Sequence, residues 1–301
     1  MLSWLARKAR SAIFLVWLFH SRWPRTVQTR VVISDLAPDG KTPKVLLGSW
    51  LKIAGLMACV PLIGRPAWGD DLPVPEAGQH GVVFAVNGSG NLQFTSTALE
   101  KAVMDAGLPL TVVTVEWSQG SVVADHTDWQ HAQEQGYRLA DQIASYHQAH
   151  PSHAIYLVAH SAGSGVALTA AATVQPGLVD RIILLAPSVS ADYDLRPALR
   201  GTRDGIDVFY SRRDVFSLGF GVAFVGTSDG CRGCQAAGRV GFRVQEETTE
   251  DAVLYAKLRQ YPWDRCQARA GNPGFHSGAR RPRFLHTYVL PLLDPSHLAV
   301  E

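Results

Sequence analysis

The segment Tyr156-Leu157-Val158-Ala159-His160-Ser161-Ala162-Gly163-Ser164-Gly165 constrains this chain more than any other. It reads as a buried strand over Ala154–Ala159, a turn centred on Ser161, and an Ala-rich helix over Gly163–Val174 stopped by Pro176-Gly177. A serine on so tight a turn is forced into a strained backbone and lifts its hydroxyl above the sheet, at the start of a helix. The residues two before and two after it must be small, because the turn presses them against the strand and the helix. Gly163 and Ala159 both meet that demand.

The rest of the body supplies more units of the same kind. Val82–Val86 is a short apolar run ending in Asn87-Gly88-Ser89-Gly90, and Leu110–Val115 is a β-branched run ending at Glu116-Trp117. Thr127–His150 has helical spacing, with Ala132, Tyr137, Leu139, Ala140, Ile143 and Tyr146, and is bounded by Pro151. Arg181–Ala186 and Ile206–Tyr210 read as further strands, and Pro282–Leu293 as a closing amphipathic helix. Apolar strands separated by helices predict an α/β fold, with a mostly parallel sheet covered on both faces.

Charge divides the chain at about residue 69. Residues 1–69 hold ten Lys/Arg against Asp35 and Asp39, whereas the remainder is net acidic. A basic leader before a mildly acidic body argues for targeting and against a nucleic-acid partner, which would need a basic face on the folded domain. Two apolar runs, Ala12–Phe19 and Ile53–Ile63, follow basic residues, and neither has the roughly 20 apolar residues needed to cross a bilayer. The second is the better secretory signal, because Ala67-Trp68-Gly69 offers small residues for cleavage. Leu56-Met57-Ala58-Cys59 also looks like the lipobox of a lipoprotein. The expectation is therefore a leader over 1–69, an exported domain over 70–301, and membrane association through the leader or a lipidated Cys59. Translation is expected to start near Val45, with residues 1–44 an over-long gene start. The bland alternative is a single anchoring helix.

Cys231-Arg-Gly-Cys234 lies in a Gly-rich stretch with no second CxxC and no neighbouring His cluster, which argues against zinc. In an exported protein a local Cys231–Cys234 disulfide is expected, with Cys234–Cys266 as the alternative pairing. Neither a metal nor a cofactor is expected.

The strand–Ser161–helix unit resembles the nucleophile elbow of the α/β-hydrolase fold family, with Ala159 in place of the first glycine of G-x-S-x-G. The resemblance covers residues 80–293 and implies the order Ser…Asp…His. Asp214 follows the strand Ile206–Tyr210, and His276 follows a Gly/Asn/Pro loop before the last helix. It also implies oxyanion donors from the backbone N–H groups of Ser89 and Ala162. Ser161, Asp214 and His276 are thus the expected nucleophile, orienting acid and base of a serine esterase or lipase-like enzyme. Its partner is a small-molecule acyl ester. The base must be neutral to accept a proton, so activity is expected to fall in acid.

Rivals for each role are also present. His160, beside the serine, is expected to pack beneath the elbow, His286 to be solvated on the last helix, and His297 to lie in the tail. Asp207 falls within a strand, and Asp229 in a loop beside the CxxC. Asn87-Gly88-Ser89 fits a glycosylation pattern by coincidence. Gly88-Ser89-Gly90 could open a dinucleotide site, but Gln93 stands where a small residue is needed. A non-catalytic exported binding protein on the same scaffold, and an acyltransferase, remain open. Pro187–Gly205 leaves room for one short helix, so a minimal cap is expected, with the site open above or roofed by Val215–Phe242.

Overall fold

The structure is a computed structural model that describes residues 79–293 apart from position 91 and 222–225. The leader over 1–69, including Cys59 and the Ala67-Trp68-Gly69 site, lies outside the described residues, as does His297.

Among the described residues one sheet of six parallel strands forms the centre: β1 (Gly81–Val86), β2 (Leu110–Val115), β3 (Ala154–His160), β4 (Arg181–Leu185), β5 (Ile206–Tyr210) and β6 (Leu258–Pro262). Their order across the sheet is β2-β1-β3-β4-β5-β6. β1 to β5 were legible as mostly apolar runs, because the sheet is covered on both faces, whereas β6 was not expected. Val82, Phe84, Ile155, Leu157, Ile182 and Val208 point into one core layer; Val83, Ala85, Val158, Ile183, Leu185 and Phe209 point into the other.

Helices α1 (Phe94–Ala106), α2 (Val122–Thr127), α3 (Trp129–Ala149), α4 (Gly163–Thr173) and α5 (Arg196–Gly201) follow the strands in turn. The first layer is closed by α3 and α4 through Leu139, Ile143, Tyr146, Val166 and Leu168. The second is closed by Leu99 and Val103 of α1 and by the last helix. That helix, α6, runs through Pro282–Phe284, a π turn over Leu285–Val289, and Leu290–Leu293. It buries Phe284, Leu285 and Val289 and leaves His286 exposed.

The connection between β4 and β5 carries only the six-residue α5, so the cap is minimal as expected. The helix expected over Thr127–His150 is broken at Asp128, whose side chain accepts from the His131 N–H and starts α3 there. Cys231 and Cys234 are disulfide-bonded, and Cys266 is free and exposed. The alternative Cys234–Cys266 pairing is therefore not the one formed.

Candidate active site

Chain order sets where a site can form. From β1 the chain moves outward to β2, then returns past β1 to β3 and continues the other way. The crevice outside the carboxyl ends of β1 and β3 is the switch point at which open parallel sheets take ligands. The loop after β1 carries Gly88 and Ser89, and the turn after β3 carries Ser161.

Ser161 has φ 53°, one of two non-glycine residues with positive φ among those described. The strain expected of the tight turn is present, and packing enforces it. A Cβ on Gly163 would run into the Asn87 carbonyl and stand 2.8 Å from that of Val86. The helix start must therefore press directly on the end of β1. The loop on the other side is equally close, since a Cβ on Gly88 would stand 3.2 Å from the Ser161 Cβ.

The loop following β5 brings Asp214, and the loop before α6 brings His276. His276 Nε2 lies 2.8 Å from Ser161 Oγ, and His276 Nδ1 lies 2.6 Å from Asp214 Oδ2. The Asp214 side chain is 3% exposed, while that of His276 is 22% exposed and faces the crevice. A carboxylate can only accept at Nδ1, so that nitrogen carries the proton and Nε2 is free to accept from the serine hydroxyl.

The rival residues are occupied elsewhere. Asp207 is fully buried, and its carboxylate is held by Arg181, Arg259 and Tyr261 at 2.9, 2.8 and 2.9 Å. Asp229 accepts from the Ser190 N–H at 2.9 Å. His160 is buried under the turn and donates from Nε2 to the His276 carbonyl at 3.0 Å. Burial pulls it down to about 3, with the neighbouring His276 and then Arg280 adding to the effect, so its imidazole stays neutral. Asn87 is buried and its carboxamide is used internally, which excludes a glycosylation role.

Neither the Ser89 N–H nor the Ala162 N–H has an acceptor among the described residues. Backbone donors at a site rim without protein partners are free for a ligand oxygen. The loop that carries Ser89 is clamped at both ends. Asn87 Oδ1 accepts from the N–H groups of Thr95 and Ser96, both at 3.1 Å, which ties it to the first turn of α1. Gly90 donates to Asp125 Oδ2 at 2.7 Å, while Asp125 also accepts from the Gln119 N–H at 2.7 Å and from the Ser118 hydroxyl. Asp125 escaped the sequence reading because the residue it holds lies 35 positions away.

A cavity of about 360 Å³ opens over Ser161 and His276. Ser217 and Leu218 form one wall, within the stretch expected to roof the site. The opposite wall was not anticipated: Val122, Val123, His126 and Thr127 of α2, with Leu92. His126 Nε2 donates to the Gly226 carbonyl at 3.0 Å and ties α2 to the stretch that follows Ser217 and Leu218. Arg280, four residues beyond His276, also lines the cavity. Among the described residues no group of three or more His, Cys, Asp or Glu converges as metal binding would require.

A family model described as the alpha/beta hydrolase fold matches residues 124–225. No curated protein matches the sequence. Among solved structures, a Trichoderma reesei cutinase bound to a phosphonate inhibitor is 21% identical, with a TM-score of 0.31. That match covers 39% of this chain and 58% of the cutinase, so the chain spans less than two thirds of that relative's length. Esterase PE8 is 14% identical over 74% of this chain and 97% of its own, with a TM-score of 0.47. A serine hydrolase without lid from Xanthomonas campestris is 16% identical over 75% and 88%, with a TM-score of 0.44.

Proposed function

We propose that this chain, which has the α/β-hydrolase fold, is a serine hydrolase that cleaves acyl ester bonds through an acyl-Ser161 intermediate. The observation that carries the reading is the unbroken relay from Ser161 Oγ to His276 at 2.8 Å and on to Asp214 at 2.6 Å. In the first half-reaction His276 Nε2 takes the hydroxyl proton as Ser161 Oγ attacks the ester carbonyl carbon. The Ser89 and Ala162 N–H groups hold the oxyanion, each contributing on the order of 3 kcal/mol. Asp214 stabilises the imidazolium, which then protonates the departing alkoxide. Water, deprotonated by the same Nε2, attacks the acyl-serine and releases the acid.

The reading is tested by substitution. Ser161→Ala is expected to fold and to lose ester hydrolysis by on the order of 10⁴–10⁶, along with all labelling by a fluorophosphonate. His276→Ala is expected to be nearly inactive, whereas His286→Ala, exposed on α6, stays within a few-fold of the parent. A fully active Ser161→Ala enzyme would remove the reading. Export belongs to the same proposal and rests on the basic-flanked run Ile53–Ile63. N-terminal sequencing of protein from a bacterial host is expected to begin after Gly69 or at a lipid-modified Cys59.

A further inference from the structure

Arg280 ends a single 3₁₀ turn, Gly278–Arg280, that grows out of the loop carrying His276. The turn is pinned by the Gly278 N–H donating to the Phe275 carbonyl at 2.7 Å, and Ala279 is buried behind it. The backbone of Arg280 is therefore held in a fixed relation to the histidine of the relay. Arg280 lines the cavity over Ser161, borders a groove shared with Asp214, Val215 and Phe275, and with Phe94 borders a third.

The guanidinium has no acceptor there. Among the described residues Arg280 makes no hydrogen bond and no ion pair, and its one recorded partner is the face of Phe94, 4.8 Å from the guanidinium carbon. Arg181, Arg196, Arg200, Arg203, Arg243 and Arg259 all meet carboxylates. The one carboxylate bordering the same groove, Asp214, is engaged by His276. Burial lowers the Arg280 pKa, and its charge reaches far enough to disfavour protonation of His160. A half-buried guanidinium with open donors is costly, and Leu92, Val122, Val123 and Leu218 line the same cavity with apolar side chains. A low local dielectric also makes the same charge a strong anchor once an anion arrives.

Resting on the serine-hydrolase reading, we propose that Arg280 is a specificity residue that binds an anionic group on the substrate. The preferred class is small esters carrying a carboxylate on a short apolar tether. Electrostatics puts the anion against the guanidinium while the apolar walls take the tether and Ser161 takes the ester carbonyl. Arg presents a two-pronged donor that matches a carboxylate, which a lysine ammonium does not.

Two matched ester pairs test this. The first, p-nitrophenyl hemiglutarate against p-nitrophenyl valerate, puts the anion on the acyl side. The second, 4-acetoxybenzoate against phenyl acetate, puts it on the alcohol side. The wild-type enzyme is expected to favour the charged member of at least one pair by about 10- to 100-fold in kcat/KM, the range of a charge-assisted bond. Arg280→Leu is expected to remove that preference. Arg280→Lys is expected to keep a smaller one, and it covers the case in which the leucine variant does not fold. Hydrolysis of the neutral esters with no preference in either pair would overturn the assignment while leaving the hydrolase reading intact. So would a preference that survives in Arg280→Leu. A wild-type enzyme inert to all four esters and to fluorophosphonate would overturn both.

Discussion

His160 stands one residue before the serine and holds the carbonyl of the histidine that meets it, at 3.0 Å. Its burial makes that bond a source of acid sensitivity. The imidazole titrates at about 3 in the folded protein, against about 6.5 when the chain is unfolded. Above 6.5 both states are neutral and the group adds no pH dependence. As pH falls from 6.5 toward 3 the unfolded chain takes up a proton that the folded chain refuses, so stability drops. The slope reaches at most about 1.4 kcal/mol per pH unit. His160→Gln keeps a donor near the Nε2 position and cannot be protonated. Melting temperatures between pH 6.5 and 4 are expected to fall less steeply for this variant than for the parent, and equal slopes would place the acid sensitivity elsewhere.

The loop after β1 shows how an element can be positioned by residues that no local pattern reveals. Gly88 and Ser89 reach the serine because Asn87 is anchored to α1 and Gly90 to Asp125 on α2. Asp125→Asn weakens the charge-assisted bond to Gly90 and leaves the cavity walls in place. It is expected to lower kcat by about 10- to 100-fold with KM within a few-fold, since a displaced donor is felt mainly in the transition state. A rise in KM alone would show that α2 matters for binding and not for the loop. The same element marks where sequence reading stopped. β1 to β5 were legible because they are mostly apolar, with β1, β3, β4 and β5 buried along nearly their whole length. β6, Leu-Arg-Gln-Tyr-Pro, lies at the sheet edge, is half-buried, and turns Arg259 and Gln260 to side-chain hydrogen bonds, so it shows no apolar run. α2 has six residues, too few to display a helical period. Ser161, Asp214 and His276 could be read because chain order and flanking strands limit where such residues fall. Asp125 and Arg280 act only through contacts made in three dimensions.

At the scale of the whole sheet, two buried acids serve separate tasks, and both hang on β5. Within the strand, Asp207 is enclosed by Arg181 from β4 and by Arg259 and Tyr261 from β6, which fastens three neighbouring strands together. Beyond its carboxyl end, Asp214 turns back to His276 at the crevice. The six residues between them, including Ser211, whose N–H donates to the Gly238 carbonyl, carry the chain from one task to the other. Matched substitutions separate the two. Asp207→Asn removes the countercharge of a guanidinium whose side chain is only 4% exposed, and stranding such a charge costs about 3–5 kcal/mol. For a domain of this size that amounts to a drop of about 10 °C in Tm. The surviving folded enzyme is expected to turn over within a few-fold of the parent. Asp214→Asn keeps its amide oxygen on the Leu218 N–H and turns its NH2 donor to His276 Nδ1, so the imidazole loses the tautomer that leaves Nε2 free. Turnover is expected to fall on the order of 10⁴-fold while Tm moves by a few degrees. Measuring kcat and Tm on the same two proteins decides the assignment. An Asp207→Asn enzyme that is stable and inactive, beside an Asp214→Asn enzyme that is unstable and active, would exchange the two roles.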